Sequence, residues 1–207
     1  MKNIVVRGLF LVMGSLLLGV GVGLGIAGGQ EVDALGTIWE GMSLTFGWSL
    51  GSANLIFNLI LLVVLLFVDI KQVHVGTLLS PVIAGAATNY TLALVETPES
   101  FVMQIILSAF GVLVISTGVG VYTASELGKS AYDGITFAMS ARLKVELYKV
   151  RFVNDLILLV LGYLMGGTIG LVTLVAMLYV GVVVQRVNSW STRTIEQLSE
   201  KPAWKAD

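Results

Sequence analysis

Six long apolar segments run along the chain, at about 4–27, 50–69, 75–95, 102–125, 150–166 and 168–187, separated by polar breaks. A bilayer's hydrocarbon core is about 30 Å thick and takes roughly 20 apolar residues per helix, so the pattern predicts six transmembrane helices. The start, Met1-Lys2-Asn3, is like that of a signal peptide. The apolar stretch that follows is too long for one, has no convincing small-x-small cleavage site and precedes further segments, so it is read as the first span. Two breaks, 31–49 and 126–148, are longer than the others. They carry apolar residues at helical intervals: Leu35, Ile38, Trp39 and Met42 in one, Ile135, Ala138, Met139 and Leu143 in the other. Asp33 and Asp133 precede these stretches as expected N-caps. Each break predicts a short amphipathic helix, lying in the interface or dipping into the bundle. Full spans there would bury Glu40 and Arg142 in hydrocarbon.

The second half of the pattern repeats the first at an offset of 97 residues, Gly14 to Gly111. Gly21, Gly23 and Ala27 match Gly118, Gly120 and Ala124; Met42-Ser43 matches Met139-Ser140; Leu59 to Val63 matches Leu156 to Val160. After a one-residue gap, Thr77 and Gly85 match Thr173 and Gly181. With three spans per half, the second half enters the membrane from the opposite side. The expected fold is an all-α polytopic membrane bundle of six transmembrane helices. It is built as two inverted three-helix repeats, each with a short amphipathic helix after its first span. The repeats are 1–98 and 99–188, followed by a cytoplasmic tail, 189–207.

Charge orients this layout. All 12 Lys and Arg residues fall on one side of it, including Lys2, Arg7, Lys71, Lys129, Arg142, Lys144, Arg186, Lys201 and Lys205. Acids alone occupy the other side: Glu31, Asp33, Glu40, Glu96 and Glu99. Lys and Arg are retained in the cytoplasm during insertion, so both termini are expected there. Composition agrees: 56% hydrophobic and 12% charged residues, with mean hydropathy +0.92, exclude a soluble domain. Zero cysteines exclude disulfides and thiol-built metal sites. Glycines 19, 21, 23 and 25 lie inside a span with no preceding strand, so they are packing residues and not a phosphate loop. Trp190 fits an interfacial anchor and Trp204 a solvated tail.

Polar residues inside spans carry the candidate chemistry. Asp155 lies about a turn and a half inside the fifth span, with Arg151 at i−4 as its expected partner and Tyr148 on the same face. Asn154 adjoins them, and Asn58 and Asn54 hold the equivalent positions of the first half. These residues predict either a midplane site, in which Asp155 binds a cation or proton and Arg151 or the amides hold substrate, or a structural ion pair with amides bonded across helices. The third and sixth spans carry stripes of small and polar residues: Thr77, Ser80, Pro81, Ala84 and Thr88, then Gly170, Thr173, Met177, Gly181 and Gln185. Close helix packing is the favoured reading of both stripes, with a pathway lining as the alternative. Glu126 and Asp133 read as loop caps or partners of Lys129. His74, the one histidine, sits at a loop edge and suggests no metal site. No nucleophile–base pair or carboxylate dyad points to an enzyme.

Leu127-Gly128, Tyr132-Asp133-Gly134, Val150-Arg151 followed by Asp155, then Gly166-Gly167, Gly170, Thr173, Gly181 and Gln185 carry a resemblance. The chain resembles the YczE/YyaS/YitT family of bacterial integral membrane proteins over nearly its whole length. Ala131 replaces the family proline and Asp155 the family glutamate, and Gly36 stands where the first half would carry aspartate. The resemblance implies a permease-like protein of the bacterial cytoplasmic membrane, with small-molecule export or an influence on secondary-metabolite production as expected roles. Together these readings predict a small-molecule transporter working by alternating access. Rivals from other classes are a membrane scaffold or regulator of a partner complex, and the substrate-capturing subunit of a larger importer. The expected partners are the lipid bilayer and a small molecule, with homo-oligomerisation open; no cofactor, metal or nucleic acid is expected.

Overall fold

In the computed structural model, residues 2–29 and 33–200 are described. Glu31, Lys201, Trp204 and Lys205 therefore lie outside the described residues. Among these residues eight α-helices follow one another: α1 (Lys2–Ala27), α2 (Ala34–Phe46), α3 (Leu50–Asp69), α4 (Val75–Leu94), α5 (Phe101–Ala124), α6 (Ala131–Leu143), α7 (Leu147–Leu164) and α8 (Leu171–Glu200). A 3₁₀ turn, Ile70–Gln72, links α3 to α4. No strand occurs among the described residues. Six helices fall on the six apolar segments, and α2 and α6 fall on the two long breaks.

The short helices begin differently. Asp33 caps α2, accepting from Gly36 N at 2.8 Å. Asp133 does not cap α6; Ser130 does, accepting from Asp133 N at 3.1 Å and donating to Asp133 Oδ2 at 2.7 Å. A hydroxyl three residues before a carboxylate favours this arrangement, and it places the acid inside the first turn. The two helices end alike. Gly47 and Lys144 are left-handed at the C-caps, and Ser43 and Ser140 each donate a 2.7 Å bond to a carbonyl five residues on, at Trp48 and Val145. The Met-Ser match between the halves thus marks one turn made twice.

Among the described residues, four helical stretches are long and apolar enough to cross a membrane: Ile4–Ala27, Ser52–Gln72, Phe101–Ala124 and Leu171–Ser199. α4, with Ser80, Pro81 and Asn89, and α7, with Lys149, Arg151 and Asp155, are not among them. α8 also outruns the expected tail boundary. Residues 189–200 continue its helix, and Ser191 and Ile195 are buried within the bundle.

α1 packs along α5 and α4, and α5 along α8; α2 lies on α7, and α6 on α3. The α1–α5 contact runs through glycines because a side chain would hold the backbones apart. A Cβ at Gly21 would stand 2.7 Å from Gly111 O, and one at Gly111 2.8 Å from Gly21 O. Gly14 and Gly118 face each other in the same way, at 2.8 and 2.7 Å. Around this seam a core forms from Leu11, Val112, Ile115, Val119, Val180 and Val184. The outer face is apolar as well, with Phe67 86%, Leu78 75% and Leu55 74% exposed. Such a surface suits lipid and not water.

The connections gather at two ends. At one, Arg7 pairs with Glu126 at 2.6 Å, Lys129 donates to Gln72 Oε1 at 2.7 Å, and Arg142 donates to Val68 O. At the other, Glu40 accepts from the Thr168 backbone and hydroxyl at 2.6 and 2.7 Å.

Candidate functional site

Arg151 and Asp155 both point inward from α7, about a tenth of each side chain remaining exposed. Arg151 does not bond its helix neighbour. Nη1 donates to Asp133 Oδ1 at 2.8 Å, whereas Nε lies 4.0 Å from Asp155 Oδ2. The first is the length of a charge-assisted hydrogen bond and the second is not. α6 delivers both counter-groups through consecutive residues: Asp133 to the guanidinium, and Tyr132, whose hydroxyl donates to Asp155 Oδ1. The Arg151 guanidinium also rests over the Tyr132 ring, 5.4 Å from its centroid.

Asp133 is saturated. Besides Arg151 it accepts from the Tyr122 hydroxyl of α5 and from Ser130 Oγ. A buried ion pair is tolerable in such a setting because hydrogen bonds meet its remaining lone pairs. Arg151 Nε, by contrast, is buried with no hydrogen-bond partner. Beside it lies a cavity of about 30 Å³ lined by Asp33, Tyr132, Arg151, Asp155, Thr173 and Met177, among others. That volume holds about two water molecules. The N-terminus of α2, carrying Asp33, and that of α6, carrying Asp133, thus reach the same centre from the two halves.

The sequence-predicted residues divide around this centre. Asp33, Arg151, Asp155 and Thr173 line the cavity, and Asp133 pairs with Arg151. Asn154 is set aside from it, donating to Thr136 Oγ1 at 3.1 Å. The α3 asparagines bond along their own helix, Asn58 Nδ2 to Asn54 O at 3.0 Å, and do not line the cavity. Gln185 accepts from Tyr148 N at 3.1 Å, which fixes the start of α7 on α8. Tyr148 itself lines an outer groove with Phe152 and Leu178, away from Arg151. Thr77 caps α4, accepting from His74 N at 3.2 Å, and Ser80 and Thr88 bond to α1 through Ser15 Oγ and Gly19 O. Ser80, Ala84 and Thr88 of the α4 stripe thus pack against α1. Glu126 pairs with Arg7 and not with Lys129. Lys129 lies mostly buried over the Phe137 ring, and that burial holds its ammonium below the usual lysine value.

Tyr122, Ser130 and Tyr132 were missed as site residues. Tyr132 lay in view, within the Tyr132-Asp133-Gly134 motif. Tyr122, at the end of an apolar helix, gave no signal apart from being a buried aromatic with a hydroxyl to satisfy.

Comparison with known proteins places the chain in a wider group. The chain is 25% identical over 189 residues to the uncharacterized membrane protein YczE of Bacillus subtilis, covering 89% of this chain and 86% of that protein. It is 24% identical over 170 residues to an uncharacterized protein of Haemophilus influenzae, covering 82% and 77%. It is 24% identical over 165 residues to YyaS of Bacillus subtilis, covering 78% and 82%. No solved structure matches the chain. The sequence resemblance to YczE and YyaS is thereby borne out. The family of unknown function DUF6198 matches residues 5–189, from α1 through most of α8, so the chain is a membrane protein that belongs to this family.

Proposed function

We propose that the protein is a small-molecule transporter of the bacterial cytoplasmic membrane, working by alternating access. In this reading all six apolar helices cross the bilayer as two inverted repeats, with both termini cytoplasmic. The observation that carries it is the exchange of contacts between the halves. α1 meets α4 as α5 meets α8, and α2 meets α7 as α6 meets α3. The Gly21–Gly111 and Gly14–Gly118 contacts likewise interchange under the sequence repeat. That exchange is what a pseudo-two-fold in the membrane plane requires, and it brings the short-helix N-termini together at a buried charged centre. Ionisable groups at such depth are costly to keep and mark substrate or ion pathways.

The centre has room for water and for no metabolite, so substrate entry would require it to widen. Access from either end would require α2 with its α7 contact, or α6 with its α3 contact, to move as a unit. The test is uptake into proteoliposomes. Vesicles with an imposed pH or voltage gradient are offered a mixture of small metabolites, and their contents are read by mass spectrometry. Gradient-dependent accumulation of a compound, lost on Arg151→Gln, supports the proposal. Absence of any such flux from a folded protein refutes it and leaves the scaffold reading.

A further inference from the structure

Charge at the centre does not balance. Among the described residues the groups facing the cavity are Asp33 at the start of α2, Tyr132 on α6, and Arg151 and Asp155 on α7, with Asp133 of α6 behind Arg151. The α5 and α8 walls add only uncharged side chains, Val112, Ile115, Thr173, Ala176, Met177 and Val180. One guanidinium therefore faces three carboxyls. Asp133 takes the hydrogen bond of Arg151, and Asp155 is left at ion-pair distance, 4.0 Å. Asp33 and Asp155 are left as two further acids on one small cavity, and two carboxylates that share a site do not both ionise readily.

A second observation bears on the charge of Asp155. Arg151 is about nine-tenths buried and its Nε has no partner, although Asp155 Oδ2 stands only 4.0 Å away. An ionised Asp155 would draw that Nε into contact, as Asp133 draws Nη1. A protonated Asp155 has no such pull, and it keeps Oδ1 as the acceptor of the Tyr132 hydroxyl.

We propose that the cavity between Asp33 and Asp155 is a proton-binding site, in which the two carboxyls of opposite halves share one proton through water beside Arg151. Binding adds one proton to one carboxylate, taking the cluster from −2 to −1; release restores −2. A movement of α2 and α7 together away from α6 would part Asp155 from the Tyr132 hydroxyl and change the affinity for that proton. In the transporter reading this is the coupling ion, and that role rests on that reading. The bound proton does not.

The experiment is infrared difference spectroscopy of the purified protein in lipid, following the carbonyl stretch of a protonated carboxyl and its shift in deuterium oxide. The wild type should show such a band at neutral pH. Asp155→Asn and Asp33→Asn should each lose it, because a single acid removed brings the cluster to −1 with no proton bound. Asparagine retains the capping acceptor at position 33, so that variant carries the test if Asp155→Asn fails to fold. No band in the wild type, or a band that persists in either folded variant, overturns the proposal. A retained band in a protein that transports nothing sinks the transporter reading alone; transport without the band sinks the proton site alone.

Discussion

Arg151 of α7 bonds Asp133 of α6 at 2.8 Å, although its own helix offers Asp155 one turn on, held at 4.0 Å. The pair that matters joins two elements. It ties the short helix of the second half to the following span, and it spends the guanidinium on an acid 18 residues earlier in the chain.

The Arg151–Asp133 bond sets a coupling that differs from the one helical spacing suggests. Removing one member of a buried ion pair leaves the other uncompensated and costs about 3–5 kcal/mol. Arg151→Gln and Asp133→Asn should each destabilise the detergent-solubilised protein by that order, read as a lower melting temperature, and the double variant should recover part of the loss. Arg151→Gln with Asp155→Asn should recover less. Equal recovery in the two double variants would show that the guanidinium serves both acids alike.

The glycine seam predicts an opposite pair of outcomes for the same substitution. Gly111→Ala puts a Cβ 2.7 Å from the Gly25 backbone nitrogen, so α1 and α5 must separate. Folded yield should fall clearly. Gly85→Ala on α4 meets nothing within 4 Å and should be neutral or slightly stabilising through helix propensity. Thermal melting of the two variants side by side checks the contrast.

The proposed orientation is tested by single cysteines, which the cysteine-free chain accepts without background. Lys144 and Glu99 are both exposed. Lys144→Cys should react with an impermeant thiol reagent only from the cytoplasmic side, and Glu99→Cys only from the other. Labelling of both from one side would end the inverted layout.

Lys129 makes stability depend on alkaline pH. Burial lowers its folded value below the usual lysine value of about 10.4, so between the two the unfolded chain binds more protons than the folded one. Stability contributed by this group therefore rises with pH across that window, and the folded state carries the desolvation penalty below it. Lys129→Gln should flatten the rise in melting temperature measured through that range. An unchanged slope would assign the pH dependence elsewhere.

Element placement was legible in the chain itself. Runs of apolar residues, the helical spacing of Leu35, Ile38 and Met42, and the matched Met-Ser pairs located eight helices, because hydrophobic period and chain-local caps act over a few residues. The resemblance argued from Tyr132-Asp133-Gly134 and Val150-Arg151 likewise named the right group. What spacing could not supply was partner choice among buried polar groups. Arg151 keeps the acid at i+4 at ion-pair distance, yet its hydrogen bond goes to one on another helix. Asn58 and Asn54 matched the site by register yet bond each other along α3. Asp133 had the look of a cap and became an ion-pair partner, because Ser130 took the cap and turned the carboxylate inward. Each choice depended on which helices the glycine seam and the short-helix contacts bring within about 3 Å. A side chain's partner is set by that three-dimensional approach, and local sequence carries no record of it.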